Sequence, residues 1–307
     1  MLFRSALMTA LTRGVLLTPA NLESMAFQCP ELGLLSFAMM LAMLTGGIDL
    51  SIVSVANLSG VIAALTMTRW LSPPSGTLET VLTIAAGTGA ALLCGALCGA
   101  INGLLIGVVG VSPILATLGT MQLFFGAAVV WTRGQAVVGL PDGLQRIGNG
   151  SLLGAPVPLL LLLTAALVVA VVSNRTVFGV ESRLTGANPT ASEFSGIGVR
   201  SILVRTYMVT GGIASLTGVL MVARANSAKA DYGTSYLLQS ILVVVLGGVH
   251  PSGGAGRVLG VGMAVAALQM LSSGFGLLHW SSFARELAWG AFLLLVMMAN
   301  WWFDREH

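Results

Sequence analysis

Residues 80–132 read TVLTIAAGTGAALLCGALCGAINGLLIGVVGVSPILATLGTMQLFFGAAVVWT, 53 consecutive positions without a charged side chain. A helix that crosses a membrane needs about 20 apolar residues, so this run holds two such helices. Gly110-Val111-Ser112-Pro113 marks the break between them. In the first, small residues recur at every fourth position: Gly87, Ala91, Gly95, Gly99, Gly103 and Gly107. At 1.5 Å per residue this seam is about 30 Å long, the thickness of the hydrocarbon layer. Small residues at that spacing let another helix approach closely, which predicts a tight bundle and says nothing of a substrate.

Further charge-free runs cover Leu32 to Ile48, Leu50 to Thr68, Ile147 to Asn174, Thr206 to Ala223, Tyr232 to Gly256, Val258 to Ala284 and Leu287 to Phe303. Only 8% of the 307 residues are charged and 56% are hydrophobic, where a soluble domain carries about 25% charge. The expected fold is an all-α polytopic membrane helix bundle of about 8 to 10 segments, some of them broken or half-spanning. We read residues 1–307 as a single transmembrane domain. Residues 1–18 form a poor or shortened first segment interrupted by Arg13, and residues 19–31 a loop.

The longest polar stretch, residues 174–205, reads NRTVFGVESRLTGANPTASEFSGIGVRSILVR and holds Arg175, Arg183, Arg200 and Arg205. Clustered arginines in a short loop between apolar spans mark a cytoplasmic side. An even number of membrane elements would put both termini on that side too. Asn188-Pro189 predicts a turn feeding a short helix, with Pro in the first turn. That helix either touches a partner or is a solvated connector.

Polar residues inside apolar runs are the candidates for a pathway: Asp49, Ser51, Asn57, Asn102, Thr117, Thr120 and Gln122. Asp49 follows Gly46-Gly47, where glycines permit a backbone bend. A carboxylate at a helix centre costs about 2.5–3.5 kcal/mol, so Asp49 should face a cavity, a partner or the interface, or else mark a membrane edge. Hydroxyls in such helices also bond commonly to their own backbone. Leu44-Thr45-Gly46-Gly47-Ile48-Asp49-Leu50-Ser51 is echoed by Leu246-Gly247-Gly248-Val249-His250-Pro251-Ser252. Glycine-interrupted segments in two halves of a membrane chain point to a central pathway.

The sequence also excludes chemistry. Lys229, the only lysine, follows Ala228, so there is no P-loop for ATP. No zinc-protease or serine-hydrolase motif occurs, and no catalytic residue or metal site is expected. Cys29, Cys94 and Cys98 suit packing better than a metal or disulfide framework. A net charge of +3 without a basic, aromatic-interleaved patch gives no reason to expect nucleic acid.

Four stretches resemble the permease subunits of ribose-type (monosaccharide) bacterial ABC importers: LTGGIDLSIVSVANLSGVIAA (44–64), CGAINGLLIGVVGVSPILATLGTMQLFFG (98–126), FGVESRLTGANPTASEFSGIGV (178–199) and VVLGGVHPSGGAGRVLG (244–260). The similarity runs from about residue 19 to the end. It implies an inner-membrane subunit that pairs with a second permease copy and takes sugar from a periplasmic binding protein. It implies no cofactor in this chain, ATP and magnesium being held by a separate ATP-binding cassette subunit. By the same resemblance Glu181, Gly186, Asn188, Pro189 and Gly196 fall in the segment that couples to that subunit. Val53 and Ala187 stand where the family usually has glycine, His250-Pro251 replaces small or hydroxylated residues, and the first span is shorter than usual. The rival readings are a stand-alone carrier in which Asp49 binds a driving ion, and a membrane scaffold without transport.

Overall fold

A computed structural model describes residues 15–70 and 76–304 of the chain. Apart from a single 3-10 turn at Val15–Leu17, the expected first segment lies outside the described residues. The remaining elements are α1 (Pro19–Leu44), α2 (Ile52–Trp70), α3 (Thr77–Leu104), α4 (Pro113–Thr132), α5 (Asp142–Asn149), a two-residue hairpin of β1 (Ser151–Leu152) and β2 (Ala155–Pro156), α6 (Val157–Arg175), α7 (Val177–Ala187), α8 (Pro189–Phe194), α9 (Val199–Ala225), α10 (Tyr236–Leu246), α11 (Val258–Leu277) and α12 (Ser282–Asp304). Seven of these, α1, α2, α3, α4, α6, α9 and α11, are long and apolar enough to cross a membrane. The chain is therefore an all-α polytopic bundle. α10, with 11 residues, is apolar but only half as long as a span.

Three helices form the centre. The apolar windows of α1, α9 and α2 are 83%, 78% and 72% buried, against 22% for α6 and 28% for α4. The glycine seam of α3 explains how the bundle closes. A Cβ on Gly95 would strike the Gly211 carbonyl, one on Gly99 the Tyr207 carbonyl, and one on Gly103 would lie 2.6 Å from Val204 Cα. Gly107 lies against Arg200. Rising numbers on α3 meet falling numbers on α9, so the two run antiparallel with backbones touching. On the other side of α9, Ala56 meets Gly218 and Gly60 meets Val222, so α2 runs parallel to it. α1 runs antiparallel, with Ala42 packed near Tyr207 and Glu31 bonded to Arg224.

These directions bring four connections to one end of the bundle: residues 45–51, 105–112, 176–198 and 247–257. The break expected at Gly110–Pro113 is there. α3 runs into a π-helical turn (Leu105–Val109) that ends on Gly110 at φ 84°, and Pro113 opens α4. The opposite end holds α5, the hairpin and residues 226–235, tied by the Val137–Ala228 bridge.

Two boundaries differ from the sequence reading. Residues 19–31, expected as a loop, form the first half of α1. Pro19 sits in its first turn, and Glu31 is accommodated because Arg224 and Tyr236 bond to it inside the bundle. α9 begins at Val199, within the expected polar loop, because Arg200 and Arg205 lie on an exposed face of the helix.

Candidate functional site

Five of the seven residues singled out in the apolar runs meet at the end where the four connections gather. Thr120 Oγ1 donates to Asn102 Oδ1 at 2.6 Å, Asn102 Nδ2 donates to Ser51 Oγ at 2.7 Å, and Ser51 Oγ donates to Asp49 Oδ1 at 2.7 Å. Thr117 Oγ1 accepts from the Leu50 amide at 3.1 Å and donates to the Pro113 carbonyl at 2.7 Å. The group is drawn from α3, α4 and the 45–51 connection that leads into α2, and every member is buried.

The local chemistry accounts for the arrangement. Asp49 folds over the start of α2, taking the Ser51 amide at 2.9 Å as well as its hydroxyl. A carboxylate near a helix N-terminus is favoured by the helix dipole. Burial pushes the Asp49 carboxyl above its usual range, against which the hydrogen bonds from Ser51 and Thr210 pull it back. Asp49 thus has partners for its charge, and it sits in a connection between two helices each long enough to span. Gly46, at φ 82°, makes the turn that brings it there.

α9 contributes two residues that the sequence reading did not single out. Thr210 Oγ1 lies 3.5 Å from Asp49 Oδ2, and Tyr207 is fully buried with its hydroxyl against Gly47, so that a Cβ there would strike it. Their signal was a Thr206-Tyr207-Thr210 stripe inside an apolar run.

Asn57 and Gln122 lie elsewhere. Asn57 donates to the carbonyls of Ala230 and Tyr232, fastening the 226–235 connection, and Gln122 is exposed on α4.

In the polar loop, Asn188 Oδ1 accepts from the Ala191 amide at 2.9 Å and caps α8, with Pro189 in its first turn. Gly196 turns the chain at φ 83°. Asn188, Pro189 and Gly196 are exposed and Glu181 is half-buried. Phe194, at the end of α8, is 90% exposed. Gly186 is different: a Cβ on it would strike the Leu44 carbonyl and lie 2.7 Å from the Gly254 amide. Gly253 is equally close to Gly46, and the Gly254 amide donates to the Leu44 carbonyl at 3.0 Å. Gly46 and the Gly253-Gly254 pair just beyond the echoed 246–252 segment therefore meet at one glycine of the polar loop, while Gly247 packs against Val261. Among the described residues, no three His, Cys, Asp or Glu side chains are placed to hold a metal.

Residues 21–300 match the family model described as branched-chain amino acid transport system / permease component. The chain belongs to this permease family. The ribose import permease protein RbsC of Bacillus subtilis (strain 168) is 34% identical over 97% of this chain and 90% of its own length. The autoinducer 2 import system permease proteins LsrD of Yersinia enterocolitica and Photorhabdus laumondii are 31% and 29% identical, each over 88% of this chain. No solved structure matches it. This permease is a multi-pass membrane protein and a transport subunit, not an enzyme.

Proposed function

We propose that this permease is the membrane subunit of an ATP-driven importer for a monosaccharide or a related polyol in the bacterial inner membrane. It pairs with a second permease copy, receives sugar from a periplasmic binding protein and takes its power from a separate ATP-binding cassette subunit. That subunit docks on residues 176–198 on the cytoplasmic side. The relatives named for ribose and autoinducer 2 import favour a sugar-like cargo.

The observation that carries the reading is the Gly186 junction. Its backbone contacts join the polar loop to Leu44 and to Gly253-Gly254, which abut the Gly46 turn leading to Asp49. A shift of α7 and α8 on nucleotide binding would reach the buried polar chain without an intervening flexible segment, which is what alternating access requires. Asp49, Ser51, Asn102, Thr117 and Thr120 would then exchange partners with sugar hydroxyls as the helices part.

Proteoliposomes holding this permease with candidate ATPase and binding-protein partners, tested with a panel of labelled sugars, decide the matter. ATP-dependent uptake of one of them is expected. Uptake driven by an ion gradient with no ATPase present would replace this reading by the stand-alone carrier.

A further inference from the structure

Away from the polar loop, α1, α9, α10 and the connection before α10 line an open cavity of about 460 Å³, a size within the roughly 300–1,000 Å³ of small-molecule sites. Its polar lining is Gln28, Glu31, Arg224, Tyr232 and Tyr236. One Glu31 oxygen accepts from Arg224 Nη1 at 2.6 Å and the other from the Tyr236 hydroxyl at 2.8 Å. Arg224 Nε is buried and meets no acceptor among the described residues. Tyr232 is held in place from below, because Asn57 binds its carbonyl.

Fastening three helices does not require this arrangement. Taking two ions out of water costs several kcal/mol each, and well-packed apolar side chains join helices as effectively. Ionisable groups within membrane helices concentrate on solute pathways. The charges of Glu31 and Arg224 cancel, so the cavity suits a solute with no net charge, whereas an anion or a zwitterion would compete with their pairing. Gln28, whose amide meets Ser24 and Gln269, and Tyr232, whose hydroxyl meets Ser227, carry groups that can both give and accept and can exchange those partners for sugar hydroxyls, and the two tyrosine rings offer flat surfaces for the C–H face of a sugar ring.

We infer that this cavity is a hydroxyl-recognising site for a neutral sugar or polyol, distinct from the Asp49 chain. The inference rests on the sugar-import reading above. It assigns this permease a share in choosing its cargo, beyond the choice made by the binding protein.

The test uses the complete reconstituted importer, the sugar it carries, and the monodeoxy analogues of that sugar, each presented at saturating binding protein. If the wild type shows no ATP-driven uptake of any sugar on the panel, the import reading itself falls, and this site with it. Where the wild type imports, Gln28→Leu, Tyr232→Phe and the paired Glu31→Gln/Arg224→Gln are compared for uptake of the sugar relative to each analogue. At least one ratio should change about tenfold, the factor for a single hydrogen bond, while stimulation of ATP hydrolysis by loaded binding protein persists. A merely fastening role slows all the sugars alike. Ratios unchanged in Gln28→Leu and Tyr232→Phe, neither of which disturbs the ion pair, overturn the proposal even if the paired variant fails to assemble.

Discussion

Asn102 is the side chain through which the buried polar chain passes from α3 to its neighbours. Its oxygen takes the Thr120 proton and its nitrogen reaches Ser51, so one amide joins α3 and α4 to the connection that enters α2. Asn102→Leu keeps the branched skeleton but leaves Ser51 and Thr120 short of a partner, an expected loss of about 1–3 kcal/mol. SDS-titration unfolding of the purified permease measures it. Gln122→Leu, on an exposed face of α4, should stay within about 0.5 kcal/mol of wild type. Equal curves for the two variants would show that the buried chain fastens nothing. Phe194 is the opposite kind of residue, 90% exposed at the tip of a capped helix. An exposed aromatic on a docking helix is a candidate anchor, and truncating such an anchor costs about 2 kcal/mol or more of binding. Phe194→Ala should weaken pull-down of the ATPase subunit by about thirtyfold with unfolding unchanged. Undiminished pull-down would remove Phe194 from the contact.

At the scale of elements, the packing of α3 on α9 depends on glycines that have no room for a side chain. Gly99→Ala puts a methyl group against the Tyr207 carbonyl and should cost about 1–3 kcal/mol through forced separation of the helices. Gly119 on α4 faces open space, and Gly119→Ala should be neutral or stabilising by up to about 1 kcal/mol. Destabilisation by Gly119→Ala equal to that of Gly99→Ala would mean that the seam is not a contact surface. This seam was legible in the sequence because a four-residue period survives whatever the partner helix is. The break at Gly110–Pro113 and the Asn188-Pro189 helix start were legible for the same reason, each being fixed by local backbone chemistry. Residues 19–31 and the start of α9 were not. Charge marks a span boundary only when the charged group meets water, and Glu31 meets Arg224 from 193 positions away. Thr210 and Tyr207 were passed over because a hydroxyl in an apolar run looks alike whether it bonds its own helix or a distant carboxylate. That Gly46, Gly186 and Gly253 touch is a tertiary fact, and the echoed 246–252 segment stops one residue short of it.

For the whole molecule, the decisive quantity is which face each end of the bundle presents. α9 has 27 residues, about 40 Å of helix, and separates Thr190, just before its start, from Gln145 on α5, whose Gly148 packs against Ala223. Both side chains are exposed. In a chain with Cys29, Cys94 and Cys98 replaced, Thr190→Cys and Gln145→Cys are therefore reporters of opposite sides. A membrane-impermeant maleimide applied to intact spheroplasts should label the residue-145 variant alone, and the residue-190 variant only after permeabilisation. The reverse pattern would place residues 176–198 outside, where no ATPase could reach them, and would end the coupling role of Gly186 and Asn188. With the expected pattern, Asn188→Glu becomes informative, because it disturbs the cap of α8 on the face that ATP hydrolysis must push. Import should fall at least tenfold while the assembled complex still hydrolyses ATP, since the capping contact worth about 1 kcal/mol fixes the docking helix and not the bundle. Undiminished import by the reconstituted variant would move the coupling away from α8.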